Sequence, residues 1–401
     1  MKRGNRHALE LSPSGYFEDA EWVGVGWQLS DHNGEVFHLK HSIPEINGDM
    51  LAEAQRGDHA LVATLFYAMQ NAESLYVHGV VSPKLLDGLY TLQSIWTRWK
   101  PELYRQIEIT VKAEQSSPVN TEGGAVFAFS GGVDATFSLF RHLTGAVGRC
   151  SRQPDAAMLV QGMDIPLNRD DYFRCALKRA ERILKGTDVP LIPVRTNSRQ
   201  LGQAWEDSYA LQLASCFFLL QRNFRWAIYG SGEPYESLTI PWGSTPLTDY
   251  LVSNESLSLI IDGGNFNRTD KVDWLVKNTP ETTISNIRVC WAGLEKDRNC
   301  DKCEKCIRTK LNFWANGHKV PKAFDTPLST SQVILVKTTN KTQIYELDGI
   351  CKHAKINGLR KTLIYWALKF AICRSHIIIA LKNISRVLSK NKLRLLKSRG
   401  V

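Results

Sequence analysis

The hydrophobic pattern of the N-terminal part mixes strand-like and helix-like segments. Two runs of aromatic and β-branched residues between Glu21 and His41, separated by turn-forming residues, predict a β-hairpin. Apolar residues at helical spacing predict one helix over Asp49–Asn71 and a second over Pro83–Trp99. Two short strands complete this region, at 75–78 and 107–111. We expect residues 1–115 to form a small α+β domain with either a packing or a dimerising role. A dimerising role would make the protein a homodimer, whereas a packing role would not.

The pattern becomes regular after a polar stretch, Gln115–Gly124, that has the composition of a linker. Strand-like and helix-like segments then alternate: 125–129, 135–143, 156–161, 170–184, 191–194, 202–220 and 226–229. Such alternation implies right-handed βαβ crossovers and predicts an α/β fold with a doubly wound parallel sheet. Ligands of such sheets bind at the carboxyl ends of the strands.

A glycine-rich loop, Ser130–Thr136, lies between the first of these strands and its helix. Adjacent Gly131 and Gly132 allow a tight turn, and the N–H groups at the start of the helix favour an anion. Ser130 and Thr136 add hydroxyl donors, whereas Asp134 would repel phosphate unless it caps the helix or engages a metal ion or water. The alternative is an ordinary glycine turn that Asp134 caps.

Four of the nine cysteines fall within seventeen residues, as Cys290, Cys300, Cys303 and Cys306. Thiolates at this spacing can surround one tetrahedral zinc ion, with backbone N–H groups donating to the sulfurs. A site closed by four thiolates has no open position, so we expect it to be structural. An iron–sulfur cluster is the competing interpretation of the same spacing.

The loop sequence Ser-Gly-Gly-Val-Asp-Ala-Thr resembles the Ser-Gly-Gly-x-Asp-Ser/Thr loop of the PP-loop ATP pyrophosphatases, a superfamily with a HUP-like sheet. The resemblance implies that the loop holds the phosphates of ATP with Mg²⁺, that the bond between the α- and β-phosphates is cleaved, and that Asp134 is catalytic. It assigns the end of the second strand, Gln161 and Gly162, to adenine and ribose. The implied ATP-binding residues of the loop are Ser130, Gly131, Gly132, Val133, Asp134, Ala135 and Thr136.

The order of the loop, the four cysteines and Arg308 resembles the 7-cyano-7-deazaguanine synthase family over residues 125–317. That family implies zinc at the knuckle, residues 290–306. It also implies that ATP adenylates the carboxylate of a 7-deazaguanine, or of another small molecule, so that ammonia or another amine gives an amide and then a nitrile. Lys271, near the start of a predicted helix, is by this resemblance the candidate that stabilises the leaving pyrophosphate.

The substrate side departs from that family's pattern, with Gly230-Ser231-Gly232-Glu233-Pro234 in place of a Pro-Asp-Cys-Arg-type element. The segment Ser231–Asn267 has the composition of an active-site loop. Its carboxylates Glu233, Asp249 and Glu255 are candidates for binding substrate amines or magnesium.

Charge changes the picture mainly at the C-terminal end. The 401 residues carry a net charge of +10, but 15 Lys and Arg against two carboxylates from Lys337 onwards give that segment +13 and leave the remainder at −3. This distribution argues against a protein that binds nucleic acid over its whole surface. The N-terminal residues contain no apolar stretch typical of a secretory signal, so we expect a cytoplasmic protein.

The segment 330–401 is predicted to be a basic, largely helical tail. Apolar residues recur from Ile377 to Leu395, and basic residues recur on another face every four residues, at Lys382, Arg386, Lys390 and Arg394. This helix could dock on the protein itself, on anionic lipid or on nucleic acid.

Two further function classes stay open from the sequence. One is sulfur transfer to a nucleoside, a reaction of other PP-loop proteins that needs a persulfide cysteine. The other is a nucleic-acid-binding zinc ribbon with the tail as its basic arm.

Overall fold

A computed structural model describes residues 8–398 apart from 291, 294, 296, 297, 339 and 340. For residues 341, 380 and 382–398 it describes the backbone only. The chain divides into two compact units. Unit 1 contains the residues up to Gly264 together with Asn286–Arg288, and unit 2 contains Asn265–Ser285 and Val289–Val401.

Unit 1 is built on a ten-stranded, mostly parallel sheet. Its strands are β1 (Ala8–Asp19), β2 (Trp22–Ser30), β3 (Val36–Pro44), β4 (Ser74–Val81), β5 (Glu108–Glu114), β6 (Ala125–Ala128), β7 (Pro154–Gln161), β8 (Leu191–Thr196), β9 (Trp226–Gly230) and β10 (Ser258–Asp262). They lie in the order β10-β9-β6-β7-β8-β3-β2-β1-β4-β5. Among the described strands, the antiparallel pairs are β1–β2, β2–β3 and β3–β8.

Helices cover both faces of this sheet. They are α1 (Asp58–Asn71), α2 (Pro83–Trp99), α3 (Val133–Leu143), α4 (Asp170–Leu184) and α5 (Trp205–Phe218). Val126 and Met158 join a core that contains the apolar side chains of α1, α2 and α5. Phe127 points the other way and contacts the ring of His142 on α3, with 5.1 Å between the centroids. The predicted α/β class is confirmed, because alternating residues of the buried strands meet helices on either side.

The order β8-β7-β6-β9-β10 places the predicted strand–helix alternation in a purely parallel half of the sheet. From β6 the chain moves outward through α3 to β7 and through α4 to β8. It then returns across the sheet through α5 to β9, beside β6. The bounds predicted for α4 agree with the structure, and the other predicted elements of this half differ from the structure by a few residues at their ends.

The N-terminal residues and the parallel half share one sheet. Strand β3 pairs with β8 through His41 opposite Thr196, and one hydrophobic core contains residues from both sides of the linker. Residues 115–124 contain neither helix nor strand, as predicted. The predicted α+β domain therefore contributes five strands to the sheet that also holds the glycine loop.

The first helix begins later than predicted. α1 starts at Asp58, because the backbone just before it pairs with the end of β4: Val80 N donates to Gln55 O, and Gly57 N donates to Val80 O, each at 2.8 Å. A backbone that donates to and accepts from a strand cannot also form helical i→i−4 bonds. Strands β1 and β10 were not predicted.

Unit 2 is helical in its described part. It contains α6 (Arg268–Asn278), α7 (Glu281–Ile284), α8 (Glu304–Ala315), α9 (Thr330–Leu335), α10 (Lys341–Ile356) and α11 (Leu363–Ser398). Apolar residues of α8 to α11 form its hydrophobic core. The predicted helical tail is present as α10 and α11, while the predicted basic face from Lys382 to Arg394 lies outside the described side chains.

Among the residues that the structure describes, no helix combines the length and the apolar character needed to cross a membrane.

Candidate functional site

The glycine loop leaves β6 at the point where the strand order of the parallel half reverses. Strand β7 lies on one side of β6 and β9 on the other. Helix α3 therefore begins between the loops that follow β6 and β9, the position at which an open α/β sheet can form a crevice. In open α/β sheets this crevice is the usual ligand site.

The loop's own geometry requires glycine. Gly131 has φ +72°, a left-handed conformation that strains other residues. Its carbonyl accepts from Arg288 N at 2.7 Å, which fixes the turn. Gly132, which has no side chain to cap the helix, is the N-cap of α3. Ser130 is exposed, with its Oγ 3.3 Å from Gly132 N, so it presents a hydroxyl beside the helix start.

The end of β9 packs closely beneath this helix start. A Cβ added to Gly230 would lie 2.4 Å from the carbonyl oxygen of Asp134. The carboxylate of Asp134 belongs to the first turn of α3, and its residue is half-buried. Only glycine at the end of β9 allows α3 to begin where it does.

The two hydroxyls predicted at the loop lie in different environments. Ser130 is exposed, whereas Thr136 is fully buried, with Oγ1 lacking a hydrogen-bond partner among the described residues. Val133 is also buried, and Ala135 is half-buried. The loop therefore offers Ser130 and backbone N–H groups at its surface.

Arg288 is a residue of this site that the sequence analysis missed. Its side chain is 3% exposed, and its guanidinium lies 2.9 Å from a carboxylate oxygen of Asp164, just beyond β7. The backbone N–H of Arg288 holds the glycine turn, while its buried guanidinium is paired with Asp164. It follows the loop by more than 150 residues, so no local spacing signalled it.

Gln161 and Gly162 form the end of β7. The Gln161 side chain is buried and fully engaged, since its Nε2 donates to Asp170 at 3.0 Å and its Oε1 accepts from Arg195 at 2.9 Å. Gly162 has φ +104°, and a Cβ there would lie 1.7 Å from Thr196 O. The structure therefore gives Gln161 a role in ordering the loop after β7.

Lys271 lies in unit 2, in the first turn of α6. The predicted helix start is confirmed by a capping box, in which the Asn267 side chain accepts from Asp270 N and the Asp270 side chain accepts from Asn267 N. Lys271 is 1% exposed. Its role toward pyrophosphate stays a prediction.

The three carboxylates singled out in segment Ser231–Asn267 are all engaged within unit 1. Glu233 accepts from the backbone and hydroxyl of Thr239 at 2.8 and 2.9 Å. Glu255 accepts from Lys84 N at 3.1 Å, which caps the start of α2. These two carboxylates organise the polypeptide around them.

Asp249 differs because it is buried. It accepts from the Ser244 hydroxyl at 2.7 Å and from Thr245 N at 3.0 Å. Burial nevertheless raises the pKa of Asp249 to about 6, against the lowering effect of hydrogen bonds from Tyr229 and Ser244.

The four cysteines of the predicted knuckle come together in unit 2. Their sulfurs all lie within 4.8 Å of one another, with 3.8 Å between Cys290 and Cys303 and 3.9 Å between Cys300 and Cys306. A tetrahedral zinc ion with Zn–S bonds of about 2.3 Å separates its sulfurs by about 3.8 Å. The geometry fits one zinc ion, whereas ligands to different irons of a cluster would be spread more widely.

Backbone donors and neighbouring side chains hold these cysteines. Gly293 N lies 3.2 Å from Cys290 Sγ, and Cys303 N lies 3.3 Å from Cys300 Sγ, which are the N–H contacts expected of such turns. Hydrogen bonds from Cys303 and Cys306 lower the pKa of Cys290, while hydrogen bonding to the Cys290 sulfur raises the pKa values of Cys303 and Cys306. A metal cation between the four sulfurs would favour the thiolate form of all four cysteines, so that they would no longer share protons.

Asn299 and Asp301 support the knuckle from outside. Asn299 is 3% exposed; its Oδ1 accepts from Val289 N at 2.8 Å and from Cys290 N at 3.2 Å. Asp301 has φ +61° between two of the cysteines, and its carboxylate lies 3.0 Å from Nζ of the fully buried Lys310. These residues orient the ligand segments in the way that outer-shell partners orient metal ligands.

Arg308, the last residue of the motif order, pairs with Glu304 at 2.7 Å and also contacts Glu346. It therefore ties α8 to α10 within unit 2.

Comparisons with protein-family models, with curated proteins and with solved structures found no match to this chain. The glycine loop and the four-cysteine centre are therefore the features from which a function can be inferred.

Proposed function

We propose that this protein is an ATP-dependent carbon–nitrogen ligase that resembles the 7-cyano-7-deazaguanine synthases. In this proposal ATP binds at the glycine loop of unit 1, adenylates a carboxylate and releases pyrophosphate. The activated carboxylate then passes to ammonia or another amine.

One observation carries the proposal: the glycine loop opens onto the start of α3 at the reversal of strand order. Gly131 and Gly230 are both required there, the first by its positive φ and the second by the 2.4 Å approach to Asp134. A glycine turn at a helix start is typical of a phosphate cradle, and Gly230 allows the end of β9 to pack against that helix start. In this proposal Arg288, whose backbone N–H holds the turn and whose guanidinium pairs with Asp164, contributes positive charge when ATP binds.

The proposed chemistry follows from the leaving group. A carboxylate oxygen of the substrate bonds to the α-phosphorus of ATP, and the bond from that phosphorus to the β-phosphate oxygen breaks, releasing pyrophosphate. The amine then attacks the acyl carbon, AMP leaves, and the amine loses a proton. Asp134, in the first turn of α3, would be the loop's carboxylate for the magnesium that accompanies ATP, and the metal would neutralise phosphate charge.

A cleft at the same edge of the sheet is the proposed position of the acceptor. It has a volume of about 530 Å³, within the usual range for small-molecule sites, and lies where β8 meets β3, about 10 Å from β6. Phe17, Phe37, Lys40 and Arg195 are among its lining residues. Rings and cations together suit a planar carboxylate.

In this proposal zinc has a structural role at the cysteine centre. Four thiolates would close its coordination sphere and leave no position for water or substrate.

The test is product analysis with the full chain, ATP, magnesium, ammonium and candidate acids, namely 7-deazaguanine carboxylic acids and small carboxylates. We expect AMP and pyrophosphate in equal amounts, formed only when an acid is present. Asp134→Asn should abolish the reaction. Asp188→Asn, an exposed aspartate in the turn before β8, is the matched control and should leave it unchanged. Formation of ADP and phosphate would contradict the proposal.

The same assay separates the alternatives. A sulfur transferase would consume ATP only with a nucleoside and a sulfur donor, and a nucleic-acid-binding ribbon would consume none.

A further inference from the structure

Helix α11 carries two apolar faces. It has 36 residues, about 54 Å in length. Tyr365, Leu368, Ala371 and Ile372 are buried and belong to the core that α8, α9 and α10 share with it. This face accounts for the docking of the helix on its own unit.

The second face is exposed. Leu363, Trp366, Phe370, Ile377 and Leu381 are 76, 64, 56, 55 and 60% exposed, respectively. At 100° per residue these five positions fall within about 60° of one another, opposite the buried face. A stripe of large apolar side chains that are all more than half exposed is unusual on a soluble surface.

The chain that follows is strongly basic. Residues 382–401 contain seven Lys and Arg and no Asp or Glu, and the sequence continues the apolar spacing with Ile384, Leu388 and Leu395. A partner for this helix must therefore supply both an apolar surface and negative charge.

An anionic lipid surface meets both requirements. A second copy of the helix would cover the apolar stripe but would add seven further positive charges to the same region. Nucleic acid would neutralise the charges and leave most of the apolar stripe in water. The apolar face of an interfacial helix lies among acyl chains while its basic side chains meet anionic headgroups.

We propose that α11 is a membrane-surface anchor that lies in the plane of an anionic bilayer, with the stripe from Leu363 to Leu381 facing the acyl chains. This inference does not depend on the activity proposed for unit 1.

The experiment is flotation of the full chain with vesicles of phosphatidylcholine alone or mixed equally with phosphatidylglycerol. We expect binding to the mixed vesicles to be at least tenfold tighter than to phosphatidylcholine. Binding should weaken as salt rises from about 50 to 500 mM, because exposed charges are screened. Equal binding to both vesicle types, or none to either, would overturn the proposal.

Variants separate the lipid from the other partners. Trp366→Ser with Phe370→Ser should reduce vesicle binding at least tenfold. Tyr90→Ser, which removes a 65% exposed aromatic side chain from α2, is the matched control and should have no effect. Because the replaced side chains are exposed, unchanged thermal unfolding and metal content will show that the variants fold.

Two outcomes with these variants would overturn the membrane proposal and identify a different partner for α11. Tighter binding to RNA than to vesicles, unaffected by the double substitution, would identify a nucleic-acid arm. Lipid-independent dimerisation that the double substitution abolishes, measured by sedimentation velocity, would identify a second copy as the partner.

Discussion

Asn299 provides the sharpest test of the metal centre, because its side chain touches no metal yet holds a ligand segment. Replacement by alanine removes the acceptor of Val289 N and Cys290 N and the donor, at 2.9 Å, to Ala323 O. All three backbone groups lose their partner at a position where Asn299 itself is 3% exposed. The four sulfurs are unchanged.

The expected loss follows from these contacts. Leaving a buried donor or acceptor unpaired costs about 1–3 kcal/mol each, reduced where water can enter. Loss of an outer-shell partner typically weakens metal binding ten- to hundredfold, or about 1.4–2.8 kcal/mol. We therefore expect Asn299→Ala to bind one zinc ion per chain with a Kd ten- to hundredfold higher. Cys306→Ser, which removes a ligand, should bind far more weakly or not at all.

The assay is zinc competition between the full chain and a chromophoric chelator, with total zinc measured independently. Asn278→Ala is the control, since this exposed asparagine on α6 also donates to a backbone carbonyl, that of Trp274. An unchanged Kd for Asn299→Ala would refute the reasoning about Asn299. Iron, or more than one metal ion per chain, in the native protein would refute the single-zinc interpretation.

Three further predictions concern unit 1. Gly230→Ala requires the start of α3 to move by about 0.6 Å and should weaken ATP binding or turnover ten- to hundredfold. Gly349→Ala is the control, because a Cβ there meets nothing within 4 Å, and it should have no effect. Equal effects of the two substitutions would contradict the argument from close approach. Arg288→Gln should weaken ATP binding at least tenfold by calorimetry, whereas replacing its partner by Asp164→Asn should not; equal losses would point to folding rather than charge. Burial raises the pKa of Asp249 from 3.8 to about 6, so ionising this carboxyl destabilises the folded protein. The contribution of Asp249 to the free energy of unfolding should therefore increase as the pH falls from 7 towards 4. Asp249→Asn should stabilise the protein at pH 8 by up to about 3 kcal/mol in chemical denaturation. An unchanged pH dependence in that variant would contradict this assignment.

Elements with strong local signals were predicted closely. α2 and α4 have the predicted bounds, because their apolar periodicity is bracketed by proline, acidic residues or a following turn. Strand β1 was missed because Pro13 and Gly15 give it the composition of a loop. The structure accommodates them with a register shift between these two residues, a β-bulge that depends on pairing with β2.

The candidate sites divide in the same way. The spacing of the four cysteines indicated a metal centre directly, because its ligands lie within one short segment. Their supporting residue Asn299 gave no such signal, since asparagine is common in turns. The engaged states of Glu233 and Glu255 also depended on partners that only the folded chain brings near.

The amino-acid sequence by itself determined the strand–helix alternation, the glycine turn and the cluster of four cysteines, because each depends on residues that are close together in the chain. The tertiary structure decided the contacts between residues that are far apart in the sequence. The pairing of β3 with β8 joins the N-terminal strands to the parallel half, and the backbone contact of Arg288 with Gly131 holds the glycine turn. Neither contact produces a recognisable pattern in the sequence, because each forms between segments that are far apart in the chain and meet only when the protein folds.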